Sequence, residues 1–217
     1  VGSEMCIRDS SGLHDAEHYS TARDMALLTA AALQNETFRE ICGQASAKVC
    51  FGNPPYERWL TNSNKLLTMD ETVIGVKTGF TDEAGRCLVS ASVRNGITLI
   101  CVTLNDRNDW QDHEVLYDYG FGQLSPQEVT FPADWTLPVT GGTTGTAAVA
   151  PAETLTVGVK DGNMPAWSYQ LNTPPFLYAP LTAGQEAGTW KLLLDGRVAA
   201  QGRLLVQSAV TYPVSYT

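Results

Sequence analysis

The sequence is short of charge, of basic residues above all, and of long apolar runs. Only 17% of its 217 residues are charged, and 14 Lys and Arg against 23 Asp and Glu give a formal net charge of −9. That balance argues against nucleic acid as a partner, while an anionic substrate can still enter a locally basic cleft. No stretch approaches the roughly 18–20 apolar residues of a membrane-spanning helix. The five cysteines, Cys6, Cys42, Cys50, Cys87 and Cys101, show no C-x-x-C or zinc-ribbon spacing and are too sparse for a disulfide scaffold. The N-terminus has no basic region followed by an apolar run, so no signal peptide is read there. Val1–Ser10 has no periodicity and no initiating methionine. These ten residues are expected to be non-native, and the chain to be a fragment that begins downstream of the true start. With 43% hydrophobic residues, the length suits one large or two small domains.

What the chain does have is a β-branched run into Lys-Thr-Gly, Val73-Ile74-Gly75-Val76-Lys77-Thr78-Gly79-Phe80-Thr81. This spacing predicts a strand with a lysine and a threonine near its end and a glycine that lets a ligand lie against the backbone. An ammonium, a hydroxyl and open backbone amides on one strand edge suit an anionic, peptide-like ligand that adds as an extra strand.

Upstream, a polar loop leads to Ser20 as the expected N-cap of a helix over 21–34. Its inward face would carry Ala22, Met25, Leu28 or Ala32, and Leu33. Asn35 is expected to end that helix, with a second helix over 36–42 and a strand over 48–51. Downstream, Arg86–Arg94 and Ile97–Leu104 flank Asn95-Gly96, the preferred pair for a type I′ hairpin turn. The implied register pairs Val93 with Thr98, Ala91 with Ile100 and Val89 with Val102. It puts Cys87 and Cys101 on opposite faces, which argues against a disulfide between them. The Cys87 and Val89 face is expected to be the core face, and the face with Leu88, Ser90, Ser92 and Cys101 to receive a helix. That helix is predicted over 109–119, packing through Trp110, Val115, Leu116 and Tyr119. After Ser125-Pro126 the chain turns rich in Gly, Pro and Thr, with short alternating runs and a second hairpin signal at Asp195-Gly196. Such runs predict a small β-sandwich.

These segments, in order, resemble the low-molecular-mass penicillin-binding proteins, the serine-type D-alanyl-D-alanine carboxypeptidases. Gly12-Leu13 with Tyr19–Ala26 resembles the family's HGL…YSSARDMA segment. Asn62-Ser63-Asn64-Lys65-Leu66-Leu67 is similar to its N-x-N-x-L-L element. Gly75–Thr81 with Ala84–Leu88 is similar to GIKTGYT…AGYCL. Pro138–Gly142, Ala179–Leu181 and Gly184–Gly188 resemble its C-terminal β domain. The resemblance implies an α/β fold plus an all-β one. Residues 11–124 would be the later part of a β-lactamase/penicillin-binding-type catalytic domain, a mixed sheet with helices on both faces. Residues 126–212 would be a C-terminal β-sandwich domain. It implies removal of the terminal D-alanine from peptidoglycan stem peptides through an acyl-enzyme, with β-lactams as inhibitors and no cofactor or metal. Lys77 would supply positive charge at the catalytic centre, and Thr78, Gly79 and Phe80 would bind substrate. Some members carry a carboxylate-binding arginine after the last core strand, and Arg107 stands in that region. The family's setting is secreted, at the cell wall or the outer face of the bacterial cytoplasmic membrane. It often ends in an amphipathic anchoring helix, which these 217 residues do not contain. No serine here has lysine three positions later or asparagine two positions later. The nucleophile motif and the second motif are therefore missing, and the chain alone is expected to form no acyl-enzyme.

The residues admit two other readings. His14-Asp15-Ala16-Glu17-His18 fits the H-x-x-E-H pattern of inverted zinc peptidases, with Glu17 as base and His14 and His18 as ligands. The stretch precedes the expected helix start, so a loop is preferred. The other is a non-catalytic, cell-wall-associated β-sandwich attached to a catalytic remnant, in which Trp135, Trp167, Tyr169 and Trp190 serve as core.

Overall fold

The Asn95-Gly96 turn sets the register of the sheet that carries Lys-Thr-Gly. Both turn residues have positive φ, 51° and 77°, as a type I′ turn requires. The computed structural model describes residue 15 and residues 17–162, 166–194 and 196–213. It divides into two compact units, Val1–Leu124 and Ser125–Thr217.

In the first unit, α1 (Ala22–Ala32) is capped by Thr21, whose hydroxyl accepts from the Asp24 amide at 3.0 Å. The cap is thus one residue later than the Ser20 expected, and Thr21 is the residue whose side chain reaches the third amide of the turn. The inward face is Met25, Thr29, Ala32 and Leu33; Leu28 is exposed. Asn35 does not close α1 but caps α2 (Glu36–Gly43), accepting from the Phe38 amide at 3.0 Å. β1 (Ser46–Phe51) and β2 (Tyr56–Thr61) form an antiparallel ribbon. β2 was not legible from sequence, because every one of its residues is exposed and it has no burial alternation. A short α3 (Leu66–Met69) leads into the sheet.

That sheet has the order β3 (Val73–Thr81), β4 (Gly85–Arg94), β5 (Ile97–Thr103), all antiparallel. The β4–β5 pairs are those expected: Val93 with Thr98, Ala91 with Ile100, Val89 with Val102. Cys101 pairs with Ser90 and so faces away from Cys87; both thiols are free. Both faces of the hairpin are buried as expected, Val89 and Ala91 on one side and Leu88, Ser90, Ser92 and Cys101 on the other. The Leu88, Ser90, Ser92 and Cys101 face is buried under α4 (Asp109–Gly122), while Leu104 is exposed. α4 itself turns Trp110, His113, Tyr117 and Phe121 to the sheet, and leaves Val115, Leu116 and Tyr119 exposed. The reason is polar. His113 has zero exposure and is held through both ring nitrogens, by Ser90 at 2.6 Å and Thr103 at 3.0 Å. Small serines on β4 make room for that bulk, and Ser90 also bonds the Tyr117 hydroxyl at 2.5 Å.

Gly75 lets α2 reach β3. Its φ is +139°, and a Cβ there would stand 2.7 Å from the Cys42 sulfur and 3.2 Å from the Cys42 carbonyl oxygen. Gly75→Ala is therefore expected to lower stability by roughly 2–4 kcal/mol, read as a fall in the urea midpoint at unchanged slope.

The second unit is all β among its described residues. β7 (Thr136–Thr140), β8 (Thr146–Pro151), β10 (Trp167–Asn172), β11 (Leu177–Tyr178), β12 (Glu186–Leu194) and β13 (Arg197–Val206) form one sheet, in the order β10-β12-β13-β8-β7-β11. A ribbon of β6 (Leu124–Glu128) and β9 (Thr156–Lys160) packs across it. Val129 and Val157 there meet Trp190, Leu192 and Leu204 of the large sheet. Trp135, Trp167 and Tyr169, partly buried, pack on the same cluster, so these aromatics belong to the core as expected. Leu194 pairs with Arg197 across the second hairpin, and a single continuous strand, β13, follows it.

Candidate active site

β3 is an edge strand, and its Lys-Thr-Gly end opens onto a cleft of about 890 Å³. Lys77, Thr78, Gly79 and Phe80 all line it, joined by Ser63, Lys65, Arg86, Cys87, Asp109 and Trp110. The structure thus brings four of the five anticipated residues together. Arg107 is exposed in the turn before α4 and is not among the lining residues.

Local chemistry fixes each side chain. Lys77 donates to the Thr78 carbonyl. The Thr78 hydroxyl lies 2.6 Å from the Ser63 hydroxyl. Ser63 is held there by its two asparagine neighbours. The Asn62 amide donates to the carbonyls of Cys42 and Gln44 at 3.2 and 3.0 Å, and its oxygen accepts from the Asn64 amide at 2.9 Å. The Asn64 oxygen accepts from the Leu66 amide at 3.1 Å. Two successive Asx turns therefore shape the loop that presents the serine to Thr78.

Arg86 arrives by register. Phe80 pairs with Arg86 across the β3–β4 hairpin, which turns through Thr81–Gly85. Its guanidinium donates from Nε and Nη2 to the two oxygens of Asp109 and lies over the Trp110 ring, 5.2 Å from its centroid. Sequence reasoning quoted Arg86 in its motif without giving it a place in the site; the pairing of Phe80 with Arg86 was the signal. Lys65, Lys77 and Arg86 outnumber the single carboxylate of Asp109 on this cleft, so it is cationic in a chain of net charge −9.

His14 lies outside the described residues. Glu17 and His18 precede α1, where the Asp15 carboxylate accepts from the Glu17 amide and the Asp15 carbonyl from the His18 amide. Among the described residues no cluster of three His, Cys, Asp or Glu is placed to hold a metal ion.

Comparison with known proteins bears on these motifs. Residues 4–108 match the family described as D-alanyl-D-alanine carboxypeptidase, and residues 131–212 match Penicillin-binding protein 5, C-terminal domain. The chain is 28% identical over 204 residues to the D-alanyl-D-alanine carboxypeptidase DacF of Bacillus subtilis, covering 90% of this chain and 51% of that one. It is 33% identical over 213 residues to DacC of Escherichia coli, covering 92% and 50%. The chain thus spans about half the length of these relatives. Its fold is similar to the crystal structure of a peptidoglycan synthesis regulatory factor (PBP3) from Streptococcus pneumoniae, with a TM-score of 0.61 and 19% identity, over 91% of this chain and 60% of that one. With both segments matched in order along one polypeptide, the chain belongs to the D-alanyl-D-alanine carboxypeptidase family of low-molecular-mass penicillin-binding proteins.

Proposed function

We propose that this chain carries the substrate-binding strand of a serine-type D-alanyl-D-alanine carboxypeptidase, which releases the terminal D-alanine of peptidoglycan stem peptides through an acyl-enzyme and is trapped by β-lactams. The observation that carries the reading is the open edge of β3, where Lys77, Thr78, Gly79 and Phe80 face one cationic cleft. A stem peptide adds along that edge as a strand, with backbone bonds for affinity and side-chain pockets for choice. The Thr78 hydroxyl donates to the peptide's terminal carboxylate. Lys77 places positive charge where negative charge develops on the scissile carbonyl, and the Phe80 amide donates to that oxygen. The attacking serine and its lysine are not in this sequence, so the strand binds and polarises while the nucleophile belongs to an S-x-x-K element that these residues do not include. Such a substrate places the protein outside the cytoplasmic membrane. Among the described residues no helix is long and apolar enough to cross one.

The test is a titration of the 217-residue chain with diacetyl-L-lysyl-D-alanyl-D-alanine, followed by backbone amide resonances. Residues 77–80 are expected to shift, the L-alanyl-L-alanine isomer to leave them in place, and Lys77→Ala to weaken the response at least tenfold. Silence at β3, or equal response to both isomers, overturns the reading. A fluorescent penicillin is expected to leave no covalent label on this chain.

A further inference from the structure

The cation of this cleft that is shaped for a carboxylate is Arg86. Its guanidinium has five N–H donors in a rigid plane. Asp109 takes one edge of that plane, with Nε donating at 3.1 Å and Nη2 to the other oxygen. Among the described residues no acceptor is bonded to Nη1, so the end of the fork remains open, on a residue that lines the cleft beside Thr78. Two features fix its aim. Asp109 is buried, with 4% of its side chain exposed, and is anchored at the start of α4, where it also accepts from the Trp110 amide at 2.9 Å. The Trp110 ring forms a floor under the guanidinium. An arginine held at its side by a buried carboxylate and from below by an indole is already ordered before a ligand arrives. Little conformational entropy is then lost on binding. Lys77 differs, since its ammonium is turned onto the Thr78 carbonyl.

We infer that Arg86 is the specificity-determining residue for an anionic ligand end, receiving a carboxylate on the open end of its guanidinium, with Asp109 and Trp110 as its positioning residues. The inference rests on the reading of the cleft as a peptide site and replaces Arg107 in the role expected for it. It gives the cleft a requirement: the ligand ends in a free carboxylate within reach of Thr78 and Arg86 together, so the same peptide closed as an amide is a poor ligand.

The experiment compares diacetyl-L-lysyl-D-alanyl-D-alanine as the free acid and as its C-terminal amide, on the 217-residue chain. Wild type is expected to prefer the acid by roughly ten- to a hundredfold, the range of a charge-assisted hydrogen bond. Arg86→Lys keeps a cation for Asp109 and keeps the fold, but it has no second edge. It is expected to reduce the acid preference to about threefold or less and to leave amide affinity as it was. Arg107→Gln is expected to keep the preference. Retention of the preference in Arg86→Lys, its loss in Arg107→Gln, or equal binding of acid and amide by wild type overturns the inference. The L-alanyl-L-alanine acid separates this from the parent reading. If it binds as well as the D isomer and depends equally on Arg86, the carboxylate site stands and the carboxypeptidase reading falls. If the D isomer alone binds and Arg86→Lys changes nothing, the reverse holds.

Discussion

At pH 7, His113→Ala is expected to lower the unfolding free energy by about 3 kcal/mol, and the loss is expected to shrink toward zero as the pH approaches 4. The first half follows from packing. His113 has no exposure, fills the space between α4 and the sheet, and bonds Ser90 and Thr103 through its two nitrogens. Truncation opens a cavity and strands the Thr103 hydroxyl, losses that together amount to roughly 2–4 kcal/mol. The second half follows from proton uptake. Burial lowers the His113 pKa from 6.5 to about 4; the carboxylates of Asp109 and Asp106 pull it upward without compensating. Between pH 6.5 and 4 the unfolded chain therefore holds a proton on this residue that the folded chain does not. Stability from His113 is whole above pH 6.5 and falls as the pH drops toward 4, by up to about 3 kcal/mol across the window. The alanine variant has no such proton to gain, so the two curves of stability against pH converge at acid pH. Urea melts at half-unit steps from pH 7.5 to 4 measure this directly. A difference between the two proteins that stays constant with pH would show that the imidazole is not held neutral by its burial.

The same histidine marks where sequence reasoning went astray. Apolar residues pointed to Trp110, Val115, Leu116 and Tyr119 as the buried stripe of α4, yet three of these are exposed. The true stripe runs through a histidine and a tyrosine, and what lets them inward is a pair of hydroxyls on strands 10 to 27 residues away in sequence. A periodicity count sees the polarity of His113 but not the Ser90 and Thr103 that satisfy it. The hairpin before α4 was legible for the opposite reason. Asn95-Gly96 dictates a turn, the turn dictates a register, and the register assigns every pair from Val93–Thr98 to Val89–Val102 with no distant contact needed.

The cleft divides along the same line. Lys77 to Phe80 could be read as neighbours because they are contiguous on one strand. Ser63 and Arg86 reach Thr78 and Asp109 only through the tertiary fold. Arg86 was within reach of local reasoning, since it lies opposite Phe80 across a short turn. Asp109 was not, because its partner is set by how α4 docks.

That docking supplies the last expectation, an asymmetry between the partners of one ion pair. The Arg86 side chain is 39% exposed and the Asp109 side chain 4%. Arg86→Met leaves a carboxylate buried, with the Trp110 amide as its remaining described donor. Stability is expected to fall by about 3 kcal/mol, at the low end for a broken buried pair because water can follow the shortened side chain inward. Asp109→Asn leaves a guanidinium that can turn to water, and removes one charge from the first turn of a helix, where a negative charge is favoured. Its expected loss is about 1 kcal/mol. The double variant has no buried charge left to strand. It is expected to be more stable than Arg86→Met alone, giving a coupling of about 2 kcal/mol in a double-mutant cycle of urea midpoints. If the two losses simply add, the pair is a surface contact without energetic weight. If they couple, the bond that aims Arg86 into the cleft also holds α4 against β4, so the fold itself keeps that cation in place.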